Sequence, residues 1–336
     1  MWTAGFSTRS KRRAIGRVSE VSAAALRPAR PTGSASRDIT WKPPGRFHTC
    51  GISPQDTVNR GMPPKTDGAT SEKLVEPAGH PTLGLRLPVF VYHRIAPDSG
   101  DRSPELTVSP RQFKSHLEWL SRRGYETVRP SQLEEFRAPN PSKPVLLTFD
   151  DAHAALVEHA FPLLREFGFS AAVFVVTAFV GKTNEWDKAA GWGPFPLMGS
   201  EEIRAWASRG IEFGAHSRTH PDLRKLSPAE LENEIAGSRA DLEDLLGAQV
   251  SSFAYPYGLW DRAVREIVGK HFQWAFTVQP GINGKQTNNW QLRRTTVYPD
   301  DDGRSLRWRV SAGWTPREAV AWLDGKMRRA MGRAKR

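Results

Sequence analysis

Two adjacent carboxylates, Asp150 and Asp151, close the apolar run Val145–Phe149, and two imidazoles, His216 and His220, follow the apolar run Ile211–Ala215. Carboxylate oxygen and imidazole nitrogen together suit a divalent transition metal. One aspartate and two histidines leave coordination positions open, which a catalytic rather than a structural site requires. Neighbours in a regular strand face opposite ways, so both aspartates reach one site only if the strand breaks between them. Asp151 would then bind the metal and Asp150 would stay free to take a proton from water, the nearby cation keeping it ionised. Zinc is the first choice; cobalt, nickel, iron or manganese would take similar donors. Each feature also has an ordinary explanation. Adjacent acids often cap the next helix, and nine histidines in 336 residues make one H-x3-H spacing common by chance. Pro221 argues against a helical His220, while Gly214 before the pair and Pro221 after it suggest a strand that ends in a tight turn.

These residues need a frame that brings strand ends together, and the chain supplies an alternation of strands and helices. Val89–Tyr92 reads as a buried strand. Ser109 and Pro110 open a helix that runs to Gly124, with Phe113, Leu117 and Leu120 as its inner stripe. Strand 145–149, helix 153–167 and strand 171–176 follow, then helix 200–209 and strand 211–215. Helix 227–246, strand 250–255, helix 260–270, strand 274–278 and a last strand at 292–298 complete the pattern. Such alternation calls for an α/β fold with a parallel sheet under helices. About seven units in about 230 residues suit a distorted (β/α) barrel of the TIM type, whose chemistry lies at the C-terminal ends of its strands. Residues 182–199 interrupt the rhythm with an aromatic loop that contains Trp186, Asp187 and Trp192.

Charge narrows the choice of partner. The net charge is +12, yet residues 1–80 hold 13 Lys/Arg against 6 Asp/Glu and residues 317–336 hold 7 against 2, while 81–316 carries 28 of each sign. The basicity belongs to the tails, which leaves no specific nucleic-acid role for the core, although the tails could contact anionic surfaces. Residues 1–80 read as a disordered basic segment, 81–314 as the folded domain and 315–336 as a basic C-terminal helix. Cys50 is the only cysteine, so no internal disulfide can form. No apolar run reaches the ~20 residues that span a bilayer, and no export signal is recognisable, which points to the cytoplasm.

In order, LTFDD, HSRTH and FAYPYG resemble the NodB-homology polysaccharide deacetylases, carbohydrate esterase family 4. The resemblance runs from Tyr92-His93-Arg94 to Arg294 and includes GAHSRTHPDL and LRRTTV. It implies a distorted barrel that removes N- or O-acetyl groups from an acetylated glycan. By position it makes Asp150 the base, Asp151, His216 and His220 the metal triad, and the backbone N–H of Tyr257 part of an oxyanion hole. Two departures stand out. The family's third-motif arginine is replaced by Ala254, so Arg294 is the candidate to orient the base from another strand. The family's late Leu-x-His is also missing, with His153 and His271 as unassigned candidates for the acid. Trp186 and Asp187 form a candidate substrate wall, and Ala152, where the family has glycine, implies an ordinary backbone angle. Two readings of other classes remain: a catalytically weak glycan-binding module, and a small-molecule amide hydrolase on the same barrel.

Overall fold

The structure, a computed structural model, describes residues 86–97, 106–135 and 143–320. The expected disordered segment 1–80 lies outside the described residues, as does most of the expected C-terminal helix, of which 316–320 is helical.

The strands are β1 (Val89–Tyr92), β2 (Arg94–Ile95), β3 (Thr107–Val108), β4 (Tyr125–Thr127), β5 (Lys143–Phe149), β6 (Ala172–Val175), β7 (Glu212–Ala215), β8 (Ser252–Ala254), β9 (Trp274–Phe276) and β10 (Thr295–Thr296). The helices are α1 (Pro110–Arg122), α2 (Ala155–His159), α3 (Phe161–Glu166), α4 (Ser200–Ala207), α5 (Pro228–Leu246), α6 (Arg262–His271) and α7 (Gly303–Ala312). Seven strands run in the order β10-β1-β5-β6-β7-β8-β9, with β4 added against the start of β5, and every pairing is parallel. The chain before β10 returns to β9: Leu292 N–H donates to Ala275 O at 2.9 Å and Thr277 N–H to Leu292 O at 2.8 Å. The sheet thus curls into a distorted (β/α) barrel, as expected, with seven main staves where a regular barrel has eight.

Strand alternation sorts the core into two faces. Leu146, Ala172, Phe174, Ala254, Trp274, Phe276 and Leu292 form one buried cluster, while their neighbours Val145, Leu147, Val173, Phe253 and Ala275 pack with the helices in another. Fully burying each large apolar side chain is worth ~1.5–3 kcal/mol. The α1 cap is the one its sequence implied: Ser109 Oγ accepts from Gln112 N–H at 3.1 Å, and Phe113, Leu117 and Leu120 are buried. Two expected elements differ. The helix over 153–167 is two short helices, because Pro162 lacks the N–H to continue α2 and starts α3 instead. The last strand is only Thr295–Thr296, since residues around Leu292 leave β9 before joining β1.

Candidate active site

Leu146 and Thr148 on β5 and Asp150 just after it share one face, and that face looks into the barrel toward Arg294. Arg294 is fully buried. Its Nη1 and Nη2 donate to Asp150 Oδ1 and Oδ2 at 2.6 and 2.7 Å, Nη1 also to Thr148 Oγ1 at 3.3 Å, and Nε to Thr277 O at 2.8 Å. Such a two-point fork fixes the carboxylate plane as well as its charge. Arg294 precedes β10 and reaches Asp150 from the barrel interior, so the expectation that all site residues occupy C-terminal strand ends needs correcting. Its guanidinium also lies 5.5 Å from the Phe174 ring centroid. Burial by itself would raise the Asp150 pKa, but the charges of Arg294 and His216 and the Arg294 hydrogen bonds outweigh it and hold the carboxyl below its ordinary value.

Asp151 would face the helices if β5 continued. Instead the strand breaks, with Asp151 at φ +72° and Ala152 at +55°, which turns the second carboxylate back toward the mouth. Ala152 therefore does not have the ordinary angle expected of it: it adopts the left-handed conformation that glycine takes freely, at a cost of about 1–2 kcal/mol. Asp151 Oδ1 lies 3.7 Å from both His216 Nε2 and His220 Nε2, and Oδ2 lies 3.6 Å from His153 Nε2. His216 follows β7, and its Nδ1 donates to the Ala254 carbonyl at 2.8 Å, which leaves the Nε2 lone pair facing Asp151. His220 stands between two aromatic rings, stacked on Trp186 at 4.9 Å and edge-on to Tyr257 at 4.5 Å. Tyr257 itself sits at φ +56°.

Asp151 Oδ1 is buried without a hydrogen-bond partner. A buried carboxylate oxygen facing two imidazole nitrogens fits a bound cation, and Asp151, His216 and His220 are the one set of donors among the described residues that converge as metal ligands would. Asp150 belongs to the same constellation, 4.0 Å from His216 Nε2. Asp187 lies in the same cleft as Asp151, His93, Arg94, His153 and Trp192. Burial first, and then the charge of Asp151, push its carboxyl up to about 7, against the pull of a hydrogen bond from Asn184 Nδ2 at 2.9 Å.

The polysaccharide deacetylase family model matches residues 137–272, the stretch that contains both aspartates and both histidines. Over that stretch the chain is similar to the polysaccharide deacetylases. The Bacillus subtilis protein YxkH, assigned by name to the polysaccharide deacetylases, is 26% identical over 226 residues, which cover 66% of this chain and 75% of that one. The poly-beta-1,6-N-acetyl-D-glucosamine N-deacetylase of Staphylococcus epidermidis is 22% identical over 58% of this chain and 69% of its own. The solved IcaB structure from Ammonifex degensii superposes with a TM-score of 0.57 at 28% identity, covering 68% of this chain and 97% of that one. A polysaccharide deacetylase structure from Bacillus cereus gives 0.60 at 24% identity over 68% and 69% of the two chains, which supports the fold.

The two histidines without an assigned role divide clearly. His271 ends α6, is hydrogen-bonded to Glu232 at 2.6 Å and does not line the Asp151 cleft, so it is no candidate for the acid. His153 lies against Asp151 with its Nδ1 buried and unpartnered. His93, one residue past β1, lines the same cleft and was visible in the sequence only as part of Tyr92-His93-Arg94. Burial lowers its pKa, against the pull of Asp150 and Asp151. The same cause takes His220 down to about 3, with the charge of His216 acting in the same direction. A neutral imidazole is what a metal ligand must be. Between about 3 and the ordinary 6.5 of His220, the unfolded chain binds a proton that the folded, metal-free chain refuses, so folded stability falls as pH drops through that window. Asp187, held near 7 in the fold, gains a proton over part of the same range and opposes this, so with that group removed by Asp187→Asn the chelated protein should melt several degrees lower at pH 5 than at pH 7. In that variant, a melting temperature that rises on acidification between those values would contradict the buried, neutral His220.

Proposed function

We propose that this chain is a metal-dependent hydrolase that removes acetyl groups, N-acetyl above all, from an acetylated polysaccharide or oligosaccharide such as chitooligosaccharide or poly-N-acetylglucosamine. The observation that carries this reading is the buried Asp150–Arg294 fork beside an unpartnered Asp151 oxygen that faces two imidazoles. Asp151, His216 and His220 would hold the cation, with zinc first and cobalt, nickel, iron or manganese as other occupants of the same donors. A divalent ion there supplies Lewis-acid charge to the acetyl carbonyl and makes water more acidic. Asp150, kept ionised and oriented by Arg294, takes the proton from the attacking water. The backbone N–H of Tyr257, beside His220, is assigned to the oxyanion. Asp187 and Trp192, which line the cleft, are assigned to the sugar. Trp186, stacked on His220, acts on the site through that ring as well as at the wall.

Acetate release from N-acetylglucosamine oligomers is the direct test. It should stop on chelation and return with zinc. A folded, zinc-replete protein that is inert on every acetylated glycan tried would overturn the proposal. Oligosaccharide affinity that survives chelation without any turnover would instead favour the glycan-binding alternative.

A further inference from the structure

His220 reaches Asp151 from a loop bent against its own preferences. Ser217 and His220 both adopt positive φ, +60° and +61°, which disfavours non-glycine residues by about 1–2 kcal/mol each. Other groups must hold this turn. Inside it, Ser217 Oγ accepts from His220 N–H at 2.9 Å. Outside it, one carboxylate from the middle of α5 meets the rest: Glu234 Oε2 accepts the N–H groups of Arg218 and Thr219, both at 2.9 Å, and Oε1 accepts from Thr219 Oγ1 at 2.7 Å. Glu234 is only 8% exposed. A carboxylate withdrawn from water to this extent is tolerated because three donors converge on it.

The helix comes unusually near to make this possible. At Gly237, one turn after Glu234, an added Cβ would stand 2.8 Å from Arg218 Cδ. Glycine inside a helix is unfavourable by about 0.5–1 kcal/mol relative to alanine, and close passage of Arg218 accounts for its presence. Arg218 then forks onto Asp241 at 2.9 and 3.1 Å, and Asp241 also accepts from Thr177 Oγ1 at 2.7 Å. The loop is thereby tied to the end of β6 as well as to α5.

We propose that Glu234 is a positioning residue for the metal centre: its three hydrogen bonds set the 217–220 turn and so place His220 Nε2 opposite Asp151. This rests on the metal reading of Asp151, His216 and His220. Glu234→Ala should raise the zinc dissociation constant about 10- to 100-fold, measured by competition with a chromophoric chelator on the full chain. Glu234→Gln can keep an oxygen on the two backbone N–H groups and turn its amide toward Thr219 Oγ1, so it should restore affinity to within about 3-fold of wild type. Thr219→Val, which removes one bond and leaves the helix untouched, should raise the constant about 5-fold and keeps the idea testable if the alanine variant does not fold. Glu243→Ala, on the same helix, is the control: it removes the acceptor for Arg239 Nε and for the Val250 N–H beyond the helix end, so it should lower stability and leave zinc affinity unchanged. Equal zinc affinity in Glu234→Ala and wild type, or losses matched by Glu243→Ala, would overturn the positioning role alone. Wild-type protein that binds no zinc would overturn the metal reading and this role together.

Discussion

Asp150→Asn is expected to lower kcat for acetate release by about 10²–10⁴-fold while changing zinc affinity only a few-fold. The carboxylate is the proton acceptor in the proposed reaction and is not one of the three converging ligands, so metal binding and turnover should separate. Stability should fall at the same time. Arg294 is fully buried and Asp150 nearly so, and the bonds between them are the guanidinium's only ionic contact in the structure among the described residues. Removing one partner of such a pair costs about 3–5 kcal/mol because the other charge stays buried, or a drop in Tm of roughly 10 °C at this domain size. Asp150→Asn with Arg294→Met removes the orphaned charge, so calorimetry should show part of that stability regained. Activity should stay as low as in the single variant. An Asp150→Asn enzyme that keeps a tenth or more of wild-type turnover would remove Asp150 from the role of base.

Much of this site was legible because its chemistry resides in side-chain types that are scarce at strand ends. Asp150, Asp151, His216 and His220 each follow an apolar run, and the requirement that β5 break between the aspartates is met by Asp151 at φ +72°. Arg294 was different. In the strand pattern it is one of two adjacent arginines, Arg293 and Arg294, in QLRRTTV, and only the family resemblance, by the absence of an arginine near Ala254, pointed to it. Its inward direction is fixed by the pleat it shares with Leu292, which is a property of pairing to β9 and β1 and not of local sequence. Ala152 misled for a related reason. Alanine prefers an ordinary angle, but the need to turn Asp151 back toward two imidazoles overrides that preference. Glu234 reads in sequence as one more acidic residue on an amphipathic helix. Its role depends on how near α5 passes to the 217–220 loop, which follows from packing at Gly237. His271 shows the converse, since its position in the chain fitted a late catalytic histidine while it is hydrogen-bonded to Glu232 and does not line the Asp151 cleft.

His220→Asn should abolish both zinc binding and its effect on stability. Asparagine tolerates the left-handed angle that His220 adopts at φ +61°, better than alanine would, so the backbone need not change. Its side chain covers the near half of the imidazole and stops short of the Nε2 position that lies 3.7 Å from Asp151 Oδ1. Zinc at a thousand times its dissociation constant should stabilise the wild-type fold by about 4 kcal/mol, a rise in Tm of about 10 °C for a domain of this size. The same zinc concentration should leave the Tm of His220→Asn unmoved, with no acetate released. Between pH 7 and pH 5 the metal-free variant should also lose less stability, or gain more, than the metal-free wild type. Asparagine has no proton to gain in that range, whereas His220 held near 3 in the fold returns to its ordinary value when the chain unfolds. The two measurements bear on one side chain by independent routes, one through the cation and one through the proton. A zinc-dependent rise in Tm that persists in His220→Asn would mean that the ion sits elsewhere, and a pH profile identical to wild type would mean that His220 is not the buried neutral imidazole described here.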